Sequence, residues 1–572
     1  MVINLENNNA MRTRAKENGL EVTCVAGTSA VILSIDMPQQ QTEGLLGFSI
    51  EREDLIENEK YFLKGFKYFE ETVGSAVKNE LFSSFEHPIQ SFMWEDFTVK
   101  STYDYIYNII PVYGKPKFLE HRPGCKIKVN IPDESTSKHS VYFNRGVAGS
   151  LAYAREFGNI RPWSEGVSEE NSLRALKWLG KGLDDALLNF IKKAEDETYS
   201  IRAAFYEFEY LPILEALKDA YEDRSVDVKI IYDSRGEEKA NNLAINEAGI
   251  PRQILIPRKE EANKSYIAHN KFMILLKDGK PIEILSGSTN ITAKGIFGQC
   301  NAAHIIRDEE VAQKFHQYWE YLAQDPINEV LGKQTLEIQE DILYDNLNKG
   351  ITVFFSPREQ KTILKTYAEY MDNSKSLICG MFPFSFSKHM KEIITKDTEN
   401  LKYIILDNNR SIHTTLVSND YDNVIIYGTY LKDGLYDWLA EKHSGLLLNA
   451  KPSGVGTNFI HNKIILIDPL GEDPIVISGS ANYSDNSILN NDENTLVIRG
   501  DKDLSDLYFT EFVRIFNHYY ARSKALEMSG KVSGNDNPLH LKTDYLAWVK
   551  SFYNKNALKY KRKKMFVDLI CS

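Results

Sequence analysis

At 572 residues the chain is too long for a single hydrophobic core, and about three or four domains are expected. Its composition, 42% hydrophobic and 26% charged, is that of a globular protein, with no apolar run near a membrane span and no apolar segment of a secretory signal at its start. A formal net charge of −12 argues against a protein-wide basic field and leaves room only for a local basic groove.

Taken in chain order, residues 1–160 read as β-rich. "EVTCVAGTSAVILSI", "GLLGFSIERED" and "SVYFNRG" are short apolar strands between turn residues. Strict alternation puts Tyr103, Tyr105, Tyr107 and Ile109 on one strand face, where packing into a sheet core is the plain reading. The pattern suits an immunoglobulin-like or fibronectin-like sandwich.

Residues 161–345 change texture. "SLRALKWLGKGLDDALLNFIKKAEDE" reads as one long amphipathic helix, and strands then alternate with helices as in an α/β layer architecture. Residues 346–528 repeat the alternation, beginning with strand "GITVFFSP" and ending in helix "LSDLYFTEFVRIFNHYYARSKALE". Residues 529–572 form a helical basic tail whose run "KYKRKK", Lys559 to Lys564, reads as a solvated helix end or mobile tail, with a phosphate-contacting arm as the alternative.

The two α/β rounds carry a direct repeat. "HNKFMILLKDGKPIEILSGSTNIT" from His269 aligns without a gap to "HNKIILIDPLGEDPIVISGSANYS" from His461, with eight identical positions in 24. In each copy a His-Asn-Lys opens an apolar strand, which places His and Lys on one face and Asn on the other. The next strand ends in Gly-Ser-x-Asn. Each lobe therefore offers His269, Lys271, Ser288 and Asn290, or His461, Lys463, Ser480 and Asn482, at one strand end. Two such sets packed about a pseudo-two-fold axis make a pocket rich in imidazole and ammonium groups and poor in carboxylates.

That inventory suits a phosphodiester. Lysines and amides hold the non-bridging oxygens, one imidazole attacks phosphorus, and the other protonates the leaving alcohol and then activates water. No metal or other cofactor is expected. The five cysteines are odd in number, scattered and never spaced as CxxC, which fits reduced thiols in the cytoplasm.

The repeats resemble the HKD signature of the phospholipase D superfamily: His-x-Lys, four residues, Asp, then Gly-Ser-x-Asn. The second copy matches throughout, with Asp468 at the Asp position and Glu493 where the family often has an acidic residue. The first copy departs from it. Leu276 replaces the Asp, Asp278 follows two residues later in a "KDGK" turn, and with the tails aligned Cys300 falls opposite Glu493. The resemblance implies a two-lobed α/β fold of duplicated mixed sheets with flanking helices, preceded here by the all-β domain. It implies phosphodiesterase chemistry through a covalent phosphohistidine, with His269 as nucleophile and His461 as general acid and base, or, since the second motif is the complete one, with those roles exchanged, and with Asp468 and Glu493 in support. The expected substrate is a nucleic acid, DNA or RNA, with a restriction or phage-defence role. The competing expectation is a phospholipase D or phosphatidyltransferase. No stable membrane association is expected, the N-terminal domain is a candidate dock for a regulatory protein, and the oligomeric state stays open.

Overall fold

The computed structural model describes residues 11–73, 80–133, 138–146, 151–158, 160, 162–163, 166–259, 262–384, 386–407, 423–428, 460–529, 537 and 539–569. Two seven-stranded mixed sheets with flanking helices form its body. The first runs in the order His139–Phe143, Ala302–Ile306, Lys280–Gly287, Lys271–Lys277, Tyr199–Phe205, Asp227–Asp233, Leu255–Arg258. The second runs Gly350–Ser356, Glu493–Arg499, Ile475–Gly479, Ile464–Ile467, Leu377–Phe382, Leu401–Leu406, Asn423–Tyr427. The last three strands of each are mutually parallel and the other pairings are antiparallel. Strands covered on both faces need apolar residues at every position, which is why "FMILL" and "IILI" show no alternation and are buried throughout.

The identical strand order moves one boundary. Strand His139–Phe143, which the sequence reading assigned to the N-terminal domain, pairs with Ala302–Ile306 at the sheet edge and is the counterpart of Gly350–Ser356. Helix Leu151–Phe157 goes with it, because Tyr153 and Phe157 pack into the first lobe's core. The single long helix is also two helices, Glu169–Gly180 and Leu183–Lys192. Lys181 and Gly182 both take left-handed backbone conformations, which end the first helix and redirect the second.

The N-terminal domain consists of two antiparallel sheets, of four and five strands, that share one core. Tyr105, Tyr107 and Ile109 are fully buried in it. Arg12 ties the domain to the second lobe through Asp506 at 2.7 Å, and Lys181, Ser29 and Glu511 tie it to both lobes.

The tail is not a free arm. Trp548 and Phe552 belong to the N-terminal core, Met565 and Phe566 to the core shared by the lobes. Within the basic run, Lys563 is 5% exposed and pairs with Asp36 at 2.6 Å, while Arg562 lies over the ring of Tyr403. These charges are spent on holding domains together.

Candidate active site

The lobes meet along the ends of the repeat strands, and buried amides and hydroxyls stitch the seam. Asn494 accepts from Ser286 Oγ at 2.7 Å and donates to Asn270 at 3.0 Å. Ser288 Oγ lies 2.7 Å from Asn462 Oδ1. The buried guanidinium of Arg258 reaches across to Asp492 at 2.9 Å. Asn270 thus points away from the pocket, into the seam.

His269 and His461 face each other across this seam with ring centroids 6.5 Å apart. Each is oriented by a residue of the opposite lobe. Nδ1 of His269 lies 2.8 Å from Glu493 Oε2, and Nδ1 of His461 lies 2.9 Å from Asn301 Oδ1. Asn301 has committed its Nδ2 to the Gly295 carbonyl at 2.8 Å, so its oxygen faces the imidazole and His461 Nδ1 carries the proton. An ionised Glu493 likewise fixes the proton of His269 on Nδ1. Both rings then present an unprotonated Nε2 to the pocket.

The serines sit one layer back. Ser480 Oγ donates to Glu493 at 2.8 Å, and Ser288 Oγ lies 2.8 Å from Asn301 Oδ1. Each lobe's serine thereby steadies the residue that orients the other lobe's histidine. Neither lobe holds a complete site alone.

Lys271 and Lys463 are almost wholly buried, and each ammonium donates to the backbone carbonyl of the histidine two residues before it. Burial and the proximity of two cations govern the titration of the whole set. Burial pushes His269 down to about 4 against the pull of Glu493, with Lys271 adding to the depression. For His461 burial, Lys463 and Lys271 act in the same direction, and it falls well below the ordinary imidazole range. Burial lowers Lys271 to about 8 and takes Lys463 well below its ordinary value, with Lys271 contributing. Burial raises Glu493, but His269 and Lys271 outweigh it and the net shift is downward. An anion held between the two lysines raises all four bases, so phosphate binding and protonation of a histidine favour each other.

Asn290 donates to Glu207 Oε2 at 2.6 Å, while its own Oδ1 is buried without a hydrogen-bond partner. Asn482 Oδ1 is in the same condition. Asp468 does something different. It accepts from the backbone of Lys375, Ser376 and Leu377 and from the hydroxyls of Ser374 and Ser376. It lies five residues along its strand from Lys463, about 16 Å away, and caps a turn at the far end of the sheet. In the first lobe the strand runs on to Lys277 before turning, and Asp196 caps Thr198 from within the loop, so a carboxylate at Leu276 has no task.

Cys300 is not the counterpart of Glu493. Ser288 to Asn301 and Ser480 to Glu493 both span 13 residues, and the orienting contacts confirm Asn301 as the equivalent. The repeat continued without a gap places Asn301 opposite Glu493. Cys300 is buried, with its thiol on the Gly146 carbonyl and its own carbonyl accepting from His461 N.

The rims of the pocket also escaped the sequence reading. Tyr210 N donates to Ile291 O in the first lobe, as Ser387 N donates to Tyr483 O in the second. This register makes Glu207 equivalent to Phe384, one a half-buried acid and the other a phenyl ring 39% exposed. Tyr206 lies beside His269 with ring centroids 5.2 Å apart and donates to Glu237 at 3.1 Å. Lys294 is a further cation of the first lobe whose charge reaches both His461 and Glu207.

A family model described as "Cardiolipin synthase, PLD-like domain" matches residues 187–323 and 368–516, together half of the chain. The chain belongs to the phospholipase D superfamily. Both repeats lie within the matched segments. Among solved structures the chain is similar to a phosphatidylserine synthase from Haemophilus influenzae, at 13% identity and a TM-score of 0.40, covering 68% of this chain and 94% of that one. It is similar to Nuc, a phospholipase D family member from Salmonella typhimurium, at 28% identity and a TM-score of 0.21, covering 25% and 87%. It is also similar to a polyphosphate kinase from Porphyromonas gingivalis, at 11% identity and a TM-score of 0.38; 55% of this chain spans 42% of the kinase. No curated protein matches the chain. Among the described residues no helix is long and apolar enough to cross a membrane.

Proposed function

We propose that this protein is a phosphodiesterase, and specifically a nuclease, that works through a covalent phosphohistidine on His269 without drawing on a metal. The observation that carries the chemistry is the facing pair of histidines, 6.5 Å apart, with Lys271 and Lys463 buried beside them. His269 Nε2 attacks phosphorus while His461, protonated as the anionic substrate binds, gives its proton to the departing alkoxide. A P–N bond forms and the P–O bond breaks. His461 then takes a proton from water, the water oxygen attacks phosphorus, and the P–N bond breaks to release a phosphomonoester. Lys271 and Lys463 hold the non-bridging oxygens and the charge that grows on them. Glu493 makes His269 the better nucleophile, since a carboxylate on Nδ1–H raises electron density at Nε2. The neutral Asn301 leaves His461 the stronger acid.

What supports a nucleic acid is the rim. Phe384 stands exposed at the second lobe's edge as a surface on which a base can stack. The competing reading, to which the family description points, is transfer or hydrolysis of a phospholipid headgroup. Purified protein in excess EDTA, offered labelled DNA, RNA and phospholipid vesicles, separates the two. The expected result is cleavage of nucleic acid that is lost in His269→Ala and His461→Ala, with an acid-labile, alkali-stable phosphoenzyme in the wild type. Headgroup release without nucleic-acid cleavage would replace the nuclease reading with the lipid one.

A further inference from the structure

The two rims of the pocket are related by the repeat but opposite in chemistry, and a phosphodiester has two arms. On the first-lobe side stands Glu207, held at 2.6 Å by Asn290 and within the electrostatic reach of Lys271, Lys463 and Lys294. Burial, with Glu237, raises the Glu207 carboxyl against the pull of Lys271, the Asn290 donation and Lys294, and burial with Glu207 and Glu237 raises Glu209 to about 7. On the second-lobe side the equivalent position is Phe384. A phosphate placed next to an ionised Glu207, the form that Lys271, Lys294 and the Asn290 donation favour, meets like charge. Asn290 Oδ1, in a side chain 5% exposed, is a buried acceptor with no partner, a condition it shares with Asn482 Oδ1 in the second lobe; such an atom costs free energy until a donor reaches it, and the carboxyl of Glu207 beside it is what sets the first-lobe rim apart. Two acceptors side by side, one of them a carboxylate, match a group that brings hydrogen-bond donors and no negative charge.

We propose that Glu207, with Asn290, is the specificity determinant of the first-lobe arm: it receives the free hydroxyl of a terminal nucleoside, so the enzyme cleaves phosphodiesters at a chain end rather than within a strand. The inference rests on the nuclease reading. In the interior of a strand, both arms of the scissile phosphate lead to another phosphate, and one of these must lie against Glu207. At a chain end one arm leads only to a sugar and its hydroxyl. The other arm, with its continuing backbone, lies toward Phe384 and its base can stack there. A phospholipid with a hydroxylated headgroup such as glycerol offers similar donors, and the experiment separates that source.

Four substrates of one single-stranded sequence test this: a linear oligonucleotide with both termini as hydroxyls, the same strand phosphorylated at its 5′ end, the same strand phosphorylated at its 3′ end, and the ligated circle. Phosphatidylglycerol vesicles are run beside them. The wild type is expected to cleave the hydroxyl-ended strand, to slow about ten-fold when one particular end is phosphorylated, and to leave the circle intact. Glu207→Gln, which keeps a carbonyl acceptor for Asn290 but removes the charge, is expected to narrow the ratio of hydroxyl-ended to phosphorylated cleavage about ten-fold. Glu207→Asp is expected to retain it. A purely structural role for Glu207 would lower all rates together and leave those ratios unchanged. Circle and linear strand cut equally by the wild type, or indifference to phosphate at both ends, would overturn the inference while leaving a nuclease. No cleavage of any strand, with or without glycerol release from the vesicles, would overturn the nuclease reading and this inference with it.

Discussion

Replacing Asn301 by Asp converts the neutral partner of His461 into the kind that His269 already has. The two side chains share a shape, so a carboxylate oxygen falls near the present 2.9 Å contact to Nδ1. An opposite charge at that distance raises an imidazole pKa by about 1–3 units, or roughly 1.4–4 kcal/mol of preference for the protonated ring. The wild-type ring starts well below its ordinary value because burial and two lysines act together. If His461 is the general acid of the first step, its protonated form limits that step from the alkaline side. A raised pKa keeps the proton on to higher pH, so the alkaline limb of phosphoenzyme formation should move up by about 1–3 pH units. Rapid-quench measurement of the phosphohistidine across pH, in single turnover, reads this directly. The substitution also breaks the Asn301 donation to the Gly295 carbonyl and should cost about 1–3 kcal/mol of stability, which thermal unfolding measures separately. A folded Asn301→Asp enzyme with an unmoved alkaline limb would refute the assignment of His461 as acid.

Other consequences follow from the same geometry. His269 titrates at about 4 when folded and near its ordinary 6.5 when unfolded, so the unfolded chain binds more protons between those values. Stability should be full above pH 6.5 and fall by about 3 kcal/mol as pH drops toward 4 from this group alone, as denaturant unfolding at pH 7 and 4.5 would show. Asp468→Ala removes five hydrogen-bond acceptances remote from the pocket; the melting temperature should drop by several degrees while kcat stays within about two-fold. Phe384→Ala should weaken binding of single strands by about 1–3 kcal/mol, seen mainly in KM. Arg258→Met leaves Asp492 buried without its guanidinium partner and should cost about 3–5 kcal/mol in denaturant unfolding.

Much of this protein was legible in the chain because a duplication writes its own alignment. The paired His-Asn-Lys and Gly-Ser-x-Asn segments locate both half-sites, and uninterrupted apolar runs announce strands buried on two faces. Legibility failed wherever a residue's task depends on what stands opposite. Asp468 matches the superfamily signature and yet caps a distant turn, since a strand of that length carries it away from the pocket. The basic run at Lys559–Lys564 looks solvated until the two cores that it bridges are seen. Lys181 and Gly182 interrupt a helix whose periodicity continues across them, because a local backbone turn leaves little trace in a hydrophobic pattern.

By itself the sequence determined the two-lobed α/β body, the pairing of imidazoles with ammoniums and the class of chemistry, since local patterns and a repeat suffice for these. Only the tertiary structure decided the crossed orientation of the site, with Glu493 behind His269 and Asn301 behind His461, and the equivalence of Glu207 in one lobe to Phe384 in the other. Those relations join residues up to 224 positions apart. Burial, which sets the charge on each of them, is a property of the packed seam and of no single segment.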